Sequence, residues 1–259
     1  MGALVNYQTE KGVAVLTLND PPVNAYSYEM LKELDSAILE ARFDNDVHVI
    51  VLTGHGEKFF SAGADLKEFA SGDKVHARLM AQRFGSTFEA LQESRPVFIA
   101  AMNGYAMGGG LECALACDMR ICEEHAQMAL PEASVGLLPC GCGTQTLPWL
   151  VGEGWAKRMI LTNERVNAET ALRIGLVEQV VARGQAKPAA LELAKRVSTL
   201  SPGAVTYSKT LIHQARQGTP RGAALAMERE RFVDLFDGED QREGVNAFLE
   251  KRKPNWRNA

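Results

Sequence analysis

The stretch "VFIAAMNGYAMGGGLECALACD", residues 97–118, constrains the fold more than any other. Six apolar residues between Pro96 and Asn103 read as a buried strand, and four glycines follow within positions 103–110. Helical sequence then begins, with Glu112 near its start. Glycine therefore occupies a strand-to-helix junction, where backbones approach closely and where the first helical amides lack partners.

The segments around this junction repeat its plan. Val13–Leu18 alternates and is rich in β-formers, which predicts a strand ended by the Asn-Asp-Pro-Pro turn. Ser27 is placed to cap a helix whose apolar stripe Met30, Leu31, Leu34, Ile38 and Ala41 runs to about Arg42. "VHVIVLTG" predicts a second strand, and "EKFFSAGADLKEFA" an irregular stretch turning helical. Val75–Glu93 reads as a longer amphipathic helix. Past the junction, "MRICEE" and "AQMALP" read as short β-pieces with an antiparallel return, followed by a loop and helix in "VGLLPCGCGTQTLPWLVG" and a late strand in "LVEQVV". From Pro188 onward every segment reads as helix. The expectation is an α/β core over residues 1–195 and a helical region over 196–259.

Lys and Arg number 28 against 32 Asp and Glu, a net charge of −4 that gives no general attraction to nucleic acid or an anionic membrane. The basic cluster "EKRKPNWR" (250–257) reads first as a solvated tail. The five cysteines form no CxxC pair and follow no secretory leader, which predicts free thiols in a reducing compartment and no metal site. Asn6 stands where a myristoylation signal carries Ser or Thr, and no apolar run approaches the roughly 20 residues of a membrane span. A cytoplasmic protein is expected.

Three chemistries compete for the glycine junction. A dinucleotide fingerprint fails because Cys113 stands where a third glycine belongs, and a P-loop fails for want of Gly-Lys-Ser/Thr. Close helix-to-strand packing is the simplest alternative. A helix N-terminus can also stabilise an anion, including one present only in a transition state. Glu112 and Glu132 each have a bland explanation as acids in a first helical turn, but paired in one pocket they can divide acid and base roles.

Three blocks, "FFSAGADLKEF", "AAMNGYAMGGGLECALACDMRI" and "PEASVGLLPCGCGTQTLPWLVG", with the tail "EGVNAFLEKRKPNW", make the chain resemble the enoyl-CoA hydratase/isomerase (crotonase) family, in particular its hydratases. The resemblance spans essentially the whole chain. It implies a spiral of ββα units with C-terminal helices that assemble a homotrimer or homohexamer. It also implies an acyl-CoA thioester as substrate and no cofactor, coenzyme A being part of that substrate.

By position, the resemblance makes the backbone amides of Ala64 and Gly109 an oxyanion hole for the thioester enolate. Glu112 and Glu132 would hold a water and add it across the double bond of a 2-enoyl-CoA, Glu112 as base and Glu132 as proton donor to Cα. Val23, Ala25, Ala62, Asp65 and Leu66 would lie along coenzyme A, joined by Phe232, and by Phe248 and Lys251 from a neighbouring subunit. Where hydratases commonly read PGAGGTQR this chain reads "PCGCGTQT", with Cys140, Cys142 and Thr146 substituted and Cys140 near the water site. The alternatives are an isomerase or another enolate-forming relative, such as a hydrolase, decarboxylase or lyase, and outside enzymes an RNA-binding relative. Net acidity and the lack of interleaved basic and aromatic patches argue against RNA.

Overall fold

The computed structural model describes residues 4–10 and 12–257. Ten strands form among them: β1 (Val5–Glu10), β2 (Val13–Leu18), β3 (Val49–Gly54), β4 (Phe59–Ser61), β5 (Val97–Met102), β6 (Tyr105–Met107), β7 (Met119–Glu123), β8 (Gln127–Ala129), β9 (Val166–Asn167) and β10 (Gln179–Val181). They divide into a six-stranded sheet, β1-β2-β3-β5-β7-β10, and a four-stranded sheet, β4-β6-β8-β9. The β1–β2 hairpin and the β8–β9 pair are antiparallel, and the remaining pairs are parallel.

The helices are α1 (Tyr28–Phe43), α2 (Lys74–Glu93), α3 (Gly109–Ala116), α4 (Gly143–Leu161), α5 (Ala168–Arg173), α6 (Ala186–Val197), α7 (Pro202–Arg216), α8 (Arg221–Asp234) and α9 (Glu239–Leu249). In the middle of the chain each turn lays one strand in the large sheet, the next in the small sheet, and then a helix. β3-β4-α2 and β5-β6-α3 are two such turns, and β7-β8 leads through a 3-10 turn to α4. This is the predicted spiral of ββα units.

Every residue of β3 and β5 is buried, because both faces of the large sheet are covered. Ile50, Leu52, Phe98 and Ala100 face the main core with Leu31, Leu34, Phe88 and Leu111. Their neighbours Val49, Val51, Val97 and Ile99 face Ala186, Ala190 and Ala194 of α6. The period of two in a strand thus serves two apolar layers, and small residues at every fourth position of α6 bring that helix close. α6 therefore packs on the sheet, while α7 and α8 contribute no buried residue and α9 only Asp240 and Ala247.

The sequence reading of β7 and β8 needs correcting. They do not return on one another: β7 pairs in parallel with β5 and β10, whereas β8 crosses to the small sheet and runs parallel to β6. Glu124 marks the crossing, its N–H donating to Val181 O and keeping the end of β7 in the large sheet. Two short β-pieces joined by three residues look like a hairpin in sequence, and only the sheet partners distinguish that from a crossing.

Candidate active site

The junction folds as a strand, β6, leading directly into α3, with Gly108 between them. Gly108 has φ +52° and ψ −128°, and its N–H donates to Ala129 O at the end of β8. A Cβ built there would stand 3.0 Å from Oε1 of Glu132, so the position excludes a side chain for both conformation and space. The next residue, Gly109, opens the helix, and its N–H has no intrahelical acceptor.

A second backbone segment meets it. Gly63, with φ +89°, packs so closely that an added Cβ would lie 2.6 Å from Met107 O and 3.0 Å from Gly109 N. Gly63 N–H donates to Ser61 Oγ (3.1 Å), Tyr26 N–H to Gly63 O (2.8 Å), and Asp65 N–H to Tyr26 O (2.9 Å). These bonds flank Ala64 without using its amide. A Cβ on Gly109 would stand 3.7 Å from Ala64 N, so the two amides nominated from sequence border one spot. Two N–H groups converging at a helix start can bind a developing oxyanion.

Glu112, one turn into α3, is 2% exposed. Its Oε1 accepts three backbone N–H groups, from Gly141 (2.9 Å), Cys142 (2.9 Å) and Gly143 (2.7 Å). Burial raises its pKa; the bonds from Cys142, Gly143, Gly141 and Cys140 oppose that rise without cancelling it. The chain at 141–143 can wrap the carboxylate because two of its three residues are glycine. A Cβ at Gly143 would lie 3.0 Å from Glu112 Oε1 and 2.9 Å from Leu130 Cδ1.

Glu132 differs. It starts the 3-10 turn Glu132–Val135, and both its carboxylate oxygens are buried without a hydrogen-bond partner among the described residues. Burial, with a smaller contribution from the Glu112 charge, pushes its pKa up to about 7. The structure thus brings Glu132 to Gly108 and into electrostatic contact with Glu112. Burial, and then the charges of Glu112 and Glu132, raise the Cys140 thiol to about 11. A thiol so disfavoured as thiolate is a poor nucleophile. Among the described residues, no group of three or more His, Cys, Asp or Glu could hold a metal ion.

The coenzyme A positions nominated from sequence fall in two places. Val23 and Ala25 run beside Ala62, Asp65 and Leu66, because Ala62 N–H donates to Val23 O (2.9 Å) and Tyr26 bridges to Ala64. Asp65 also caps its own 3-10 turn by accepting from Lys67 N–H (3.0 Å), which turns Leu66 outward, 52% exposed. Phe232, Phe248 and Lys251 are exposed on or just after α8 and α9, and Lys251 has φ +56°. Within the tail cluster Arg252 pairs with Glu243 and Glu250, so it is more than a solvated charge. Trp149 lines a cavity of about 900 Å³ with Ile212 and Arg216 of α7.

Sequence reasoning missed the wrapping of Glu112 by 141–143. The signal was present as Gly-Cys-Gly directly before a helix, a stretch noted only for departing from a pattern. It missed too that Tyr26, Phe84 and Phe88 form one aromatic group beneath the site.

The sequence matches the family described as Enoyl-CoA hydratase/isomerase over residues 8–259. It is 40% identical to the short-chain-enoyl-CoA hydratase of Clostridium acetobutylicum, covering 95% of this chain and 94% of that protein. It is 37% identical to the crotonyl-CoA hydratase of Syntrophomonas wolfei, covering 96% of each. Among solved structures, DspI of Pseudomonas aeruginosa superposes with a TM-score of 0.96 at 61% identity, over 99% of this chain and 97% of that one.

Proposed function

This chain belongs to the enoyl-CoA hydratase/isomerase family, and from that premise we infer that it is an enoyl-CoA hydratase, adding water to a 2-enoyl-CoA to give a 3-hydroxyacyl-CoA. The observation that carries the catalytic reading is the contrast between the carboxylates: Glu112 held through one oxygen by three amides, Glu132 buried with both oxygens unbonded and a pKa near 7.

The thioester oxygen takes the place between Ala64 and Gly109 N–H, where negative charge grows as the enolate forms. One such donor is worth about 3 kcal/mol of barrier elsewhere. Water stands between the carboxylates. Glu112 accepts a proton from it as its oxygen bonds to C3, the π electrons move into the enolate, and Glu132 then gives its proton to C2. Product leaves Glu112 protonated and Glu132 ionised, and proton exchange with water resets the pair. The amide bonds favour the ionised form of Glu112, whereas for Glu132 burial, aided by a like charge, outweighs the opposing pull of its own backbone N–H and favours the proton.

Coenzyme A would run along Val23, Ala25, Ala62, Asp65 and Leu66. Phe232, Phe248 and Lys251 would complete its site, the last two across a subunit boundary of a homotrimer or homohexamer. The large exposed apolar residues Ile212, Phe232, Val233, Phe248 and Leu249 on the C-terminal helices support such an assembly, and sedimentation at micromolar concentration tests it. No helix of the described residues is long and apolar enough to cross a membrane. With five free cysteines, the reading extends to a cytoplasmic protein.

The test follows loss of the conjugated thioester's ultraviolet absorbance over short, branched and medium-chain enoyl-CoA esters. Turnover of at least one ester, lost in Glu132→Gln with acyl-CoA binding retained, is the expected result. Full activity in Glu132→Gln would remove the role assigned to it.

A further inference from the structure

Tyr26, Phe84 and Phe88 make a closed triangle of rings, with centroids 5.7 Å (Tyr26–Phe84), 6.0 Å (Tyr26–Phe88) and 5.6 Å (Phe84–Phe88) apart, each pair edge to face. All three are at most 2% exposed. Phe84 and Phe88, four apart on α2, share a helix face, and each presses on a different glycine. A Cβ on Gly109 would stand 3.0 Å from Cε1 of Phe84, and a Cβ on Gly141 would stand 2.5 Å from Cδ2 of Phe88. Tyr26 meets the third piece through its backbone, donating to Gly63 O and accepting from Asp65 N–H on either side of Ala64.

We propose that Tyr26, Phe84 and Phe88 are positioning residues, one for each backbone piece of the catalytic site: Tyr26 for the Ala64 amide, Phe84 for the Gly109 amide, and Phe88 for the Gly141 end of the Glu112 cradle. The proposal rests on the roles assigned above to those amides and to Glu112. Three rings in mutual edge contact cannot rotate independently, so their spacing fixes the spacing of the three segments they touch. At the points of contact, Gly109 and Gly141 have no side chains of their own to help set that spacing. A shift of about 1 Å in such a constellation can cost about 100-fold in rate.

The arrangement separates two effects that simple core packing would merge. Phe84 bears on the oxyanion amide, so Phe84→Leu should lower kcat about 10- to 100-fold, change KM little, and leave the pH profile in place. Phe88 bears on the cradle, so Phe88→Leu should weaken the Gly141 bond to Glu112. The acid limb of kcat/KM should then move up by about one pH unit, since amide bonds are what oppose the rise of Glu112. The other titratable groups bearing on Glu112 are Glu132, Cys113, Cys140 and Cys142, and Phe88→Leu replaces none of them.

The experiment pairs kinetics of Phe84→Leu, Phe88→Leu and the more nearly volume-matched Phe84→Met and Phe88→Met with their crystal structures. The Met variants should recover much of the lost Tm but not the lost kcat or the shifted limb, because a flexible chain fills space without fixing a plane. Crystal structures need no turnover: Gly109 should move in the Phe84 variants and Gly141 in the Phe88 variants, even if no enoyl-CoA ester is hydrated by the parent protein. That last outcome would sink the hydratase reading alone. Losses that track Tm equally in all four variants, with both glycines unmoved, would overturn the positioning role.

Discussion

Two short segments hold the two carboxylates, and they are built in opposite ways. Around Glu112, residues 141–143 turn three N–H groups onto one oxygen, inside a helix that is buried throughout. Around Glu132, a 3-10 turn with no buried residue brings both oxygens into the site and leaves them without partners. The difference gives two identical groups different surroundings for their protons: burial raises both, and for Glu112 amide bonds oppose that rise. Donors to Oε1 favour the charge on Glu112, and burial favours the proton on Glu132.

The largest expected effect breaks the pair. Glu132→Gln should lower hydration by about 10³-fold, the usual scale for a lost general acid. The same change should raise Tm at pH 8. The folded pKa of Glu132 lies above its unfolded value, so its proton stabilises the native state at low pH, and that contribution is lost as pH rises through about 7. Glutamine never ionises. A gain of about 2–4 °C at pH 8, shrinking toward pH 5, would accompany each kcal/mol recovered.

Stability of the alanine variants sharpens the contrast next. Glu112→Ala strands the three amides that converge on Oε1 and should destabilise by about 2–4 kcal/mol in denaturant titration. Glu132→Ala strands nothing and should cost far less. The pH dependence comes third: kcat/KM should fall on the acid side as Glu112 gains its proton and on the alkaline side as Glu132 loses its own, near pH 7 in the free enzyme. The smallest effect concerns Cys140, whose thiol is pushed up to about 11 by burial and then by the charges of Glu112 and Glu132. Cys140→Ser should change kcat less than about threefold, and iodoacetamide should alkylate Cys140 only slowly at pH 7.

Much of this was legible in sequence where local rules decide. The buried runs β3 and β5, the Ser27 cap of α1 and the glycine junction before α3 follow from pattern and capping chemistry. Pairing was not legible. β7 and β8 read as a return because nothing local records that β8 belongs to another sheet. The cradle was hidden for the same reason, since Gly141 and Gly143 act through backbone amides on a residue about thirty positions earlier. The strands β4, β6 and β9, of two or three residues, are too short to show a period. Side by side in the small sheet, β4, β6 and β8 nonetheless lead to Ala64, Gly108 and Glu132 in turn.

The division of labour between the carboxylates is tested most directly by titrating the side-chain carboxyls of ¹³C-labelled glutamate in the free enzyme, with Glu112→Gln and Glu132→Gln for assignment. One carboxyl should titrate near pH 7 and vanish from the titration in Glu132→Gln, with Glu112 losing its proton at lower pH. Titration of Glu132 near the ordinary carboxylate range of about 4.3, or below Glu112, would contradict the assignment of base and acid.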